Sequence, residues 1–254
     1  MSHWAVLALA MAAICAVVLA VVVLKQRRLP EDDDPSATPD VLEYMTMMIG
    51  VVYAIVLGLA IAAVWEGRGA AEDQVRHEAQ ALHEVSERVR VYPEPARDRI
   101  RADIDEYVHY VVHDEWDYMA DHGELSKRGD ELFERIRHDA TDYVPQSDQE
   151  AQMYQPILDQ VAIADDARQG RGDQAGATMP GLIWFGLLIG AAVTVGMIFT
   201  LQIRRSAPEL IVAGLFSALI AFLLFLIWDL DAPFGRGMTA TADAFKSLFP
   251  GASS

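Results

Sequence analysis

Two pairs of residues in this 254-residue chain have the type and spacing to do chemistry: His109 with His113, and Asp229 with Asp231. In a helix, residues four apart share a face, so the two imidazoles form half of a possible zinc site, with Asp114 or Glu115 beside them. No third ligand stands at a convincing spacing, so a solvated or interface-facing histidine pair is the preferred reading and no metal is assigned. The acids of HDEWDYM, residues 113–119, have the look of a general acid/base pair. Glu115 and Trp116 fit no catalytic motif, however, and a structural cap or a contact between helices accounts for them better. There is no phosphate-binding loop, no nucleophile elbow and no basic patch for nucleic acid, and no cofactor is implied. The chain reads as a non-enzyme.

Asp229 and Asp231 close an apolar run, in FLLFLIWDLDAPFGRGM, and stand where a helix dipole disfavours negative charge. Pro233 ends the helix, while Phe234 and Gly235 continue into a turn. Two readings are open for this segment: an interfacial stop with both acids in water, or a turn packed on another part of the protein.

The elements that must position these residues divide between two solvents. With 52% hydrophobic residues and a formal charge of −17, the sequence is too apolar and too acidic to be one water-soluble domain. Four stretches approach or exceed the roughly 20 apolar residues needed to cross a bilayer: Trp4–Leu24, Tyr44–Trp65, Gly181–Ile203 and Leu210–Trp228. The first lacks a basic residue before it and is longer than the apolar core of a signal peptide, which predicts a retained membrane helix. Cys15, the sole cysteine, lies within it, so no intrachain disulfide forms.

Between the second and third stretches, residues 66–179 hold 27 Asp/Glu against 13 Lys/Arg. Apolar positions recur there every three or four residues, as in Val75, Ala79, Leu82, Val85 and Val89, and predict helices. Breaks are expected at Tyr92–Pro95, His122–Gly123, Val144–Pro145 and the glycine-rich 169–176. The predicted fold class is an all-α integral membrane protein, with four transmembrane helices and a helical bundle inserted between the second and third. Its divisions are 1–28, first helix and basic flank; 29–43, acidic loop; 44–65, second helix; 66–179, acidic helical domain; 180–230, third and fourth helices; and 231–254, tail. Lys25, Arg27 and Arg28 in one short loop and Arg204 and Arg205 in another fall on the same side. The positive-inside rule makes that side cytoplasmic and the helical domain extracytoplasmic.

Four pieces taken together, VVYAIVLGLAIAAVWEGRGAAEDQVRHEAQAL, PEPARDRIRADIDEYVHYVVHDEWDYM, MPGLIWFGLLIG and LDAPFGRGMTATADAF, resemble the bacterial bestrophin-like membrane family. The resemblance to bestrophins proper is more distant. It implies a pentameric channel in the cell membrane, with four membrane helices per subunit and a helical domain between the second and third. Inorganic ions and the lipid bilayer are then its partners. Bestrophins keep that domain in the cytoplasm, opposite to the side the loop charges give here. Their calcium clasp follows the fourth helix, where this chain has only Asp243, a poor start for a cation that takes about six to eight oxygen ligands.

Aligning Gly58 with the glycine of the bestrophin Leu-Gly-Phe piece brings Val51, Ile55 and Leu59 to the pore-constricting positions. Their spacing of four puts all three on one helical stripe. The alternative is a stripe that packs on the third and fourth membrane helices. Gly58, with Gly186 and Gly190 of a GxxxG pair, is a candidate for close helix packing. An oligomeric ion channel is the leading function, a membrane-anchored sensor or scaffold the alternative, and a metal-dependent membrane enzyme using His109 and His113 the third.

Overall fold

The computed structural model describes residues 40–198, 207–235 and 242–251, and all the regular structure among them is helical. The first membrane stretch, Cys15, the two basic loops and Arg236 lie outside the described residues. The helices are α1 (Asp40–Arg88), α2 (Glu94–Tyr110), α3 (Trp116–His122), α4 (Lys127–Thr141), α5 (Asp148–Asp173), α6 (Gly181–Ile198), α7 (Ala207–Leu230) and α8 (Asp243–Leu248). A short 3-10 turn, Val89–Val91, follows α1, and a π-helical turn, Val111–Glu115, joins α2 to α3. The described residues form two compact units. One comprises 40–64, 179–198 and 207–229; the other comprises 65–178, 230–235 and 242–251.

In the first unit, α1 and α7 are long and apolar enough to cross a membrane, and α6 is a shorter apolar helix. From Tyr44 to Trp65, α1 rises about 32 Å, the thickness of a hydrocarbon core. It packs through Tyr53, Leu57, Ala60 and Val64, all buried and spaced four, three and four. The Tyr53 hydroxyl donates to the carbonyl of Leu187 on α6 at 2.8 Å. Gly190 makes room for that ring: a Cβ there would sit 2.5 Å from Tyr53 Cε2. Ser217 on α7 is buried and donates to the carbonyl of Ala213 at 2.9 Å, which satisfies a hydroxyl in an apolar setting.

The second unit is a helical bundle around Leu82, Ile100, Ile104, Leu132, Ile136 and Ile157, each no more than 1% exposed. Local chemistry starts and stops its helices. Ser126 caps α4 by accepting from the N–H of Gly129 at 3.0 Å. Ser147 caps α5, accepting from the Glu150 N–H at 3.3 Å and donating its hydroxyl to Glu150 Oε1 at 2.9 Å, while the Gln146 N–H donates to Glu150 Oε2 at 2.7 Å. Gly123, with φ of 70°, ends α3 in the left-handed conformation that lacks a penalty only for glycine.

All four expected breaks fall where helices end, the fourth within 169–176, although α5 runs on through Gly170 and Gly172 before it stops at Asp173. Both glycines sit under neighbouring side chains: a Cβ at Gly170 would lie 2.7 Å from Gln74 Cδ, and one at Gly172 would lie 2.7 Å from Leu125 Cδ1. Close approach, and not a turn, is what they provide.

Candidate functional site

Residues Val51, Ile55 and Leu59 lie on the unpacked side of α1, exposed by 56%, 59% and 67%. The packed side is the Tyr53, Leu57, Ala60 and Val64 row, so among the described residues the stripe is left largely uncovered. Met48, Val52 and Val56 are also exposed beside it. A surface so apolar is costly in water and belongs against lipid or another protein chain. Gly58 and Gly186 face open space, whereas Gly190 is filled by Tyr53.

In the second unit, the functional candidates converge on a buried ionic cluster. Glu78 on α1, Glu115 at the end of the π-turn, and Arg171 on α5 are fully buried, and Arg168 is 2% exposed. Arg171 Nε donates to Glu78 Oε2 at 2.7 Å, and Arg171 Nη2 donates to Glu115 Oε2 at 2.9 Å. The Arg168 guanidinium grips Glu115 bidentately, Nη1 to Oε2 at 2.8 Å and Nη2 to Oε1 at 3.0 Å, and reaches Asp130 at 2.9 Å. Tyr107 accepts from Arg168 Nη1 at 2.8 Å and donates its own proton to Glu78. Ser126 Oγ donates to Glu115 Oε1 at 2.9 Å. Two carboxylates thus neutralise two guanidiniums with their hydrogen-bonding sites filled, which is what makes buried charge tolerable.

Burial pushes the Glu115 carboxyl up, but Arg171 and Arg168 outweigh it and hold it at about 2. Burial also lifts the Tyr107 phenol well above its ordinary range, and the neighbouring Glu78 adds to that. Both guanidiniums are held more firmly protonated than usual, since the adjacent acids and phenol overcome their desolvation.

The π-turn is what delivers Glu115 to this cluster. Tyr107, Val111, Glu115 and Met119 are all buried, at a constant spacing of four that a regular α-helix would rotate away from the core. Gly129 is the matching gap, because a Cβ there would fall 2.0 Å from Glu115 Oε1. Glu115 therefore makes the contact between helices that its sequence neighbourhood favoured. Glu78, Arg168 and Arg171 were missed.

The turn after α7 ends at the same place. Phe234 is buried, edge-on to Trp116 at 5.3 Å, and Arg171 lies over the Trp116 ring at 6.0 Å. Asp231 is 3% exposed, and its carbonyl accepts from the N–H of Thr178 at 3.0 Å. Asp229 Oδ1 is buried without a hydrogen bond. Asp231 and Phe234 of the turn are thus buried within the second unit. Gly235 serves the turn by close approach, a Cβ there lying 3.2 Å from the Ala120 carbonyl oxygen, while its N–H donates to the Ala232 carbonyl at 3.2 Å. Pro233 lies within this turn between the buried Asp231 and Phe234.

His109 and His113 stack on the surface of the domain, with ring centroids 4.3 Å apart. Among the described residues, no group of three or more His, Cys, Asp or Glu is arranged to hold a metal ion. A family profile described as the bestrophin-like domain matches residues 2–245. The chain belongs to the bestrophin-like family. Neither a curated protein nor a solved structure matches it. Membership covers both units and the turn, so the Trp116–Phe234 contact joins two pieces of one family domain.

Proposed function

We propose that the chain assembles into a homo-oligomeric ion channel of the cell membrane, fivefold by family resemblance, with residues 44–65 lining the pore. Val51, Ile55 and Leu59 form its neck. Rings of such residues can gate by dewetting, with no charge required inside the membrane. The observation that carries this reading is the outward exposure of that stripe while the opposite face of α1 packs inward. Gly58 and Gly186, with open space above them, would let a neighbouring subunit's helix approach closely. Four membrane helices and an extracytoplasmic acidic domain at 66–179 complete the topology.

The test is planar-bilayer recording of purified protein beside a variant with Val51, Ile55 and Leu59 all changed to alanine. A wider neck raises unitary conductance while the oligomer elutes unchanged. Intact oligomers with unchanged currents, or no current from either protein, would refute the mechanism.

A further inference from the structure

We infer that His109 and His113 form a chelating site for a borderline transition-metal dication such as Zn2+, independent of the pore reading. His113 Nδ1 lies 2.9 Å from the carbonyl oxygen of His109. A carbonyl only accepts, so Nδ1 carries the proton and donates it, and Nε2 of the neutral ring keeps its lone pair for a ligand. Metal-bound histidines are oriented in this same way, one nitrogen donating to a carbonyl while the other binds the ion.

The π-turn adds the second element. In a regular α-helix, residues four apart diverge by about 40° around the axis. The wider Val111–Glu115 turn takes up that offset, and the two imidazoles come face to face, 21° from parallel. Two nitrogens on a tetrahedral ion at about 2.0–2.1 Å stand about 3.3 Å apart. The Nε2 lone pairs lie in their ring planes, so binding one ion requires the two rings to leave the parallel stack and converge, a movement open to them because both side chains are exposed.

Two imidazoles select the ion class, because calcium and magnesium require oxygen ligands while zinc, nickel and copper take nitrogen. The remaining coordination positions belong to water or an added anion. The acidic surroundings, with Asp105 one turn before His109 and Asp114 after His113, favour a dication over an anion. His122 is a built-in control. Its Nδ1 makes the same contact with a carbonyl, that of Tyr118 at 3.0 Å, but its stacking partner is a phenol and not a second imidazole.

The experiment titrates Zn2+ into chelator-stripped full-length protein in detergent, with a chromophoric chelator as competitor and excess Ca2+ present. Wild type, His109→Gln, His113→Gln and His122→Gln are compared. One zinc equivalent should weaken by about tenfold or more in each of the first two variants and persist in the third. Copper bound by wild type should show paramagnetic hyperfine splitting from two imidazole nitrogens, and from one in either single variant. The inference fails if the equivalent survives His109→Gln or His113→Gln, if His122→Gln removes it equally, if Ca2+ displaces it, or if wild type takes up no such equivalent.

Discussion

Replacing Glu115 by Gln keeps the shape of the side chain and removes one of the two charges that offset Arg168 and Arg171. The amide would turn a donor toward guanidiniums that already donate, and two buried positive charges would be left with Glu78 as their one buried carboxylate, Asp130 meeting Arg168 from the exposed side. Glu115 is fully buried, so solvent screening does little to soften the loss. Its carboxyl sits at about 2 against an ordinary 4.5, a difference worth about 3 kcal/mol. Removing one partner of a buried pair costs about 3–5 kcal/mol by direct measurement elsewhere, which agrees. For a protein of this size that lowers the melting temperature by about 6–12 °C. The assay is thermal unfolding of the full chain in detergent, wild type against Glu115→Gln. The sign with pH follows from the lowered folded-state value. The contribution of Glu115 is complete above the unfolded value near 4.5 and is lost as pH falls toward about 2. The gap between wild type and variant should therefore close through that window. A variant within about 0.5 kcal/mol of wild type near neutral pH, or a gap as wide at pH 2 as at neutrality, would refute the assignment of Glu115 as a net stabilising charge.

Gly129→Ala should disrupt the same cluster by sterics, with a loss of thermal stability at least as large, because its Cβ collides with Glu115 Oε1. Gly190→Ala should destabilise the membrane unit by forcing the Tyr53 ring aside, whereas Gly58→Ala and Gly186→Ala should leave subunit stability unchanged and, if those faces meet other subunits, weaken the oligomer on size exclusion. For orientation, a cysteine at exposed Asp173, in a chain with Cys15→Ser, should react with a membrane-impermeant maleimide in intact cells; labelling only after lysis would reverse the topology. If the domain forms a vestibule, its 27 acids against 13 bases should concentrate cations, and a reversal potential that tracks chloride in asymmetric salt would overturn that selectivity.

Helix type was legible because the apolar rows are regular: Val75, Ala79, Leu82 and Val85 are all buried, as their spacing requires. The ionic cluster was hidden because charge is ordinarily read as a solvated face. Its signal lay in register and not in residue type. Arg168 and Arg171 continue the row Ile157, Val161, Ala164, and Glu78 falls beside Ala79 on the row from Ala71 to Leu82. The π-turn was likewise written in the repeated spacing of four from Tyr107 to Met119, which a three-and-four periodicity search passes over. The outward direction of the Val51, Ile55 and Leu59 stripe was not readable, since α1 is apolar nearly all round in its first half and sequence alone does not say which side meets its own chain.

The helical domain is discontinuous in the chain: residues 65–178 and the segment from Leu230 onward are separated by 51 residues of the membrane unit. Phe234, Phe245 and Phe249 nonetheless fill its core beside residues made much earlier, His83 meeting Phe249 edge-on at 5.8 Å and Trp116 meeting Phe234. On the ribosome this imposes an order of events. The bundle leaves the tunnel before the residues that complete its interior have been synthesised, and must wait through the synthesis of two further apolar helices with part of its core open. A chain truncated before Leu230 would hold every acidic helix of the domain and still lack three of its aromatic side chains, so such a fragment should be recovered as a protease-sensitive species while the complete chain resists digestion.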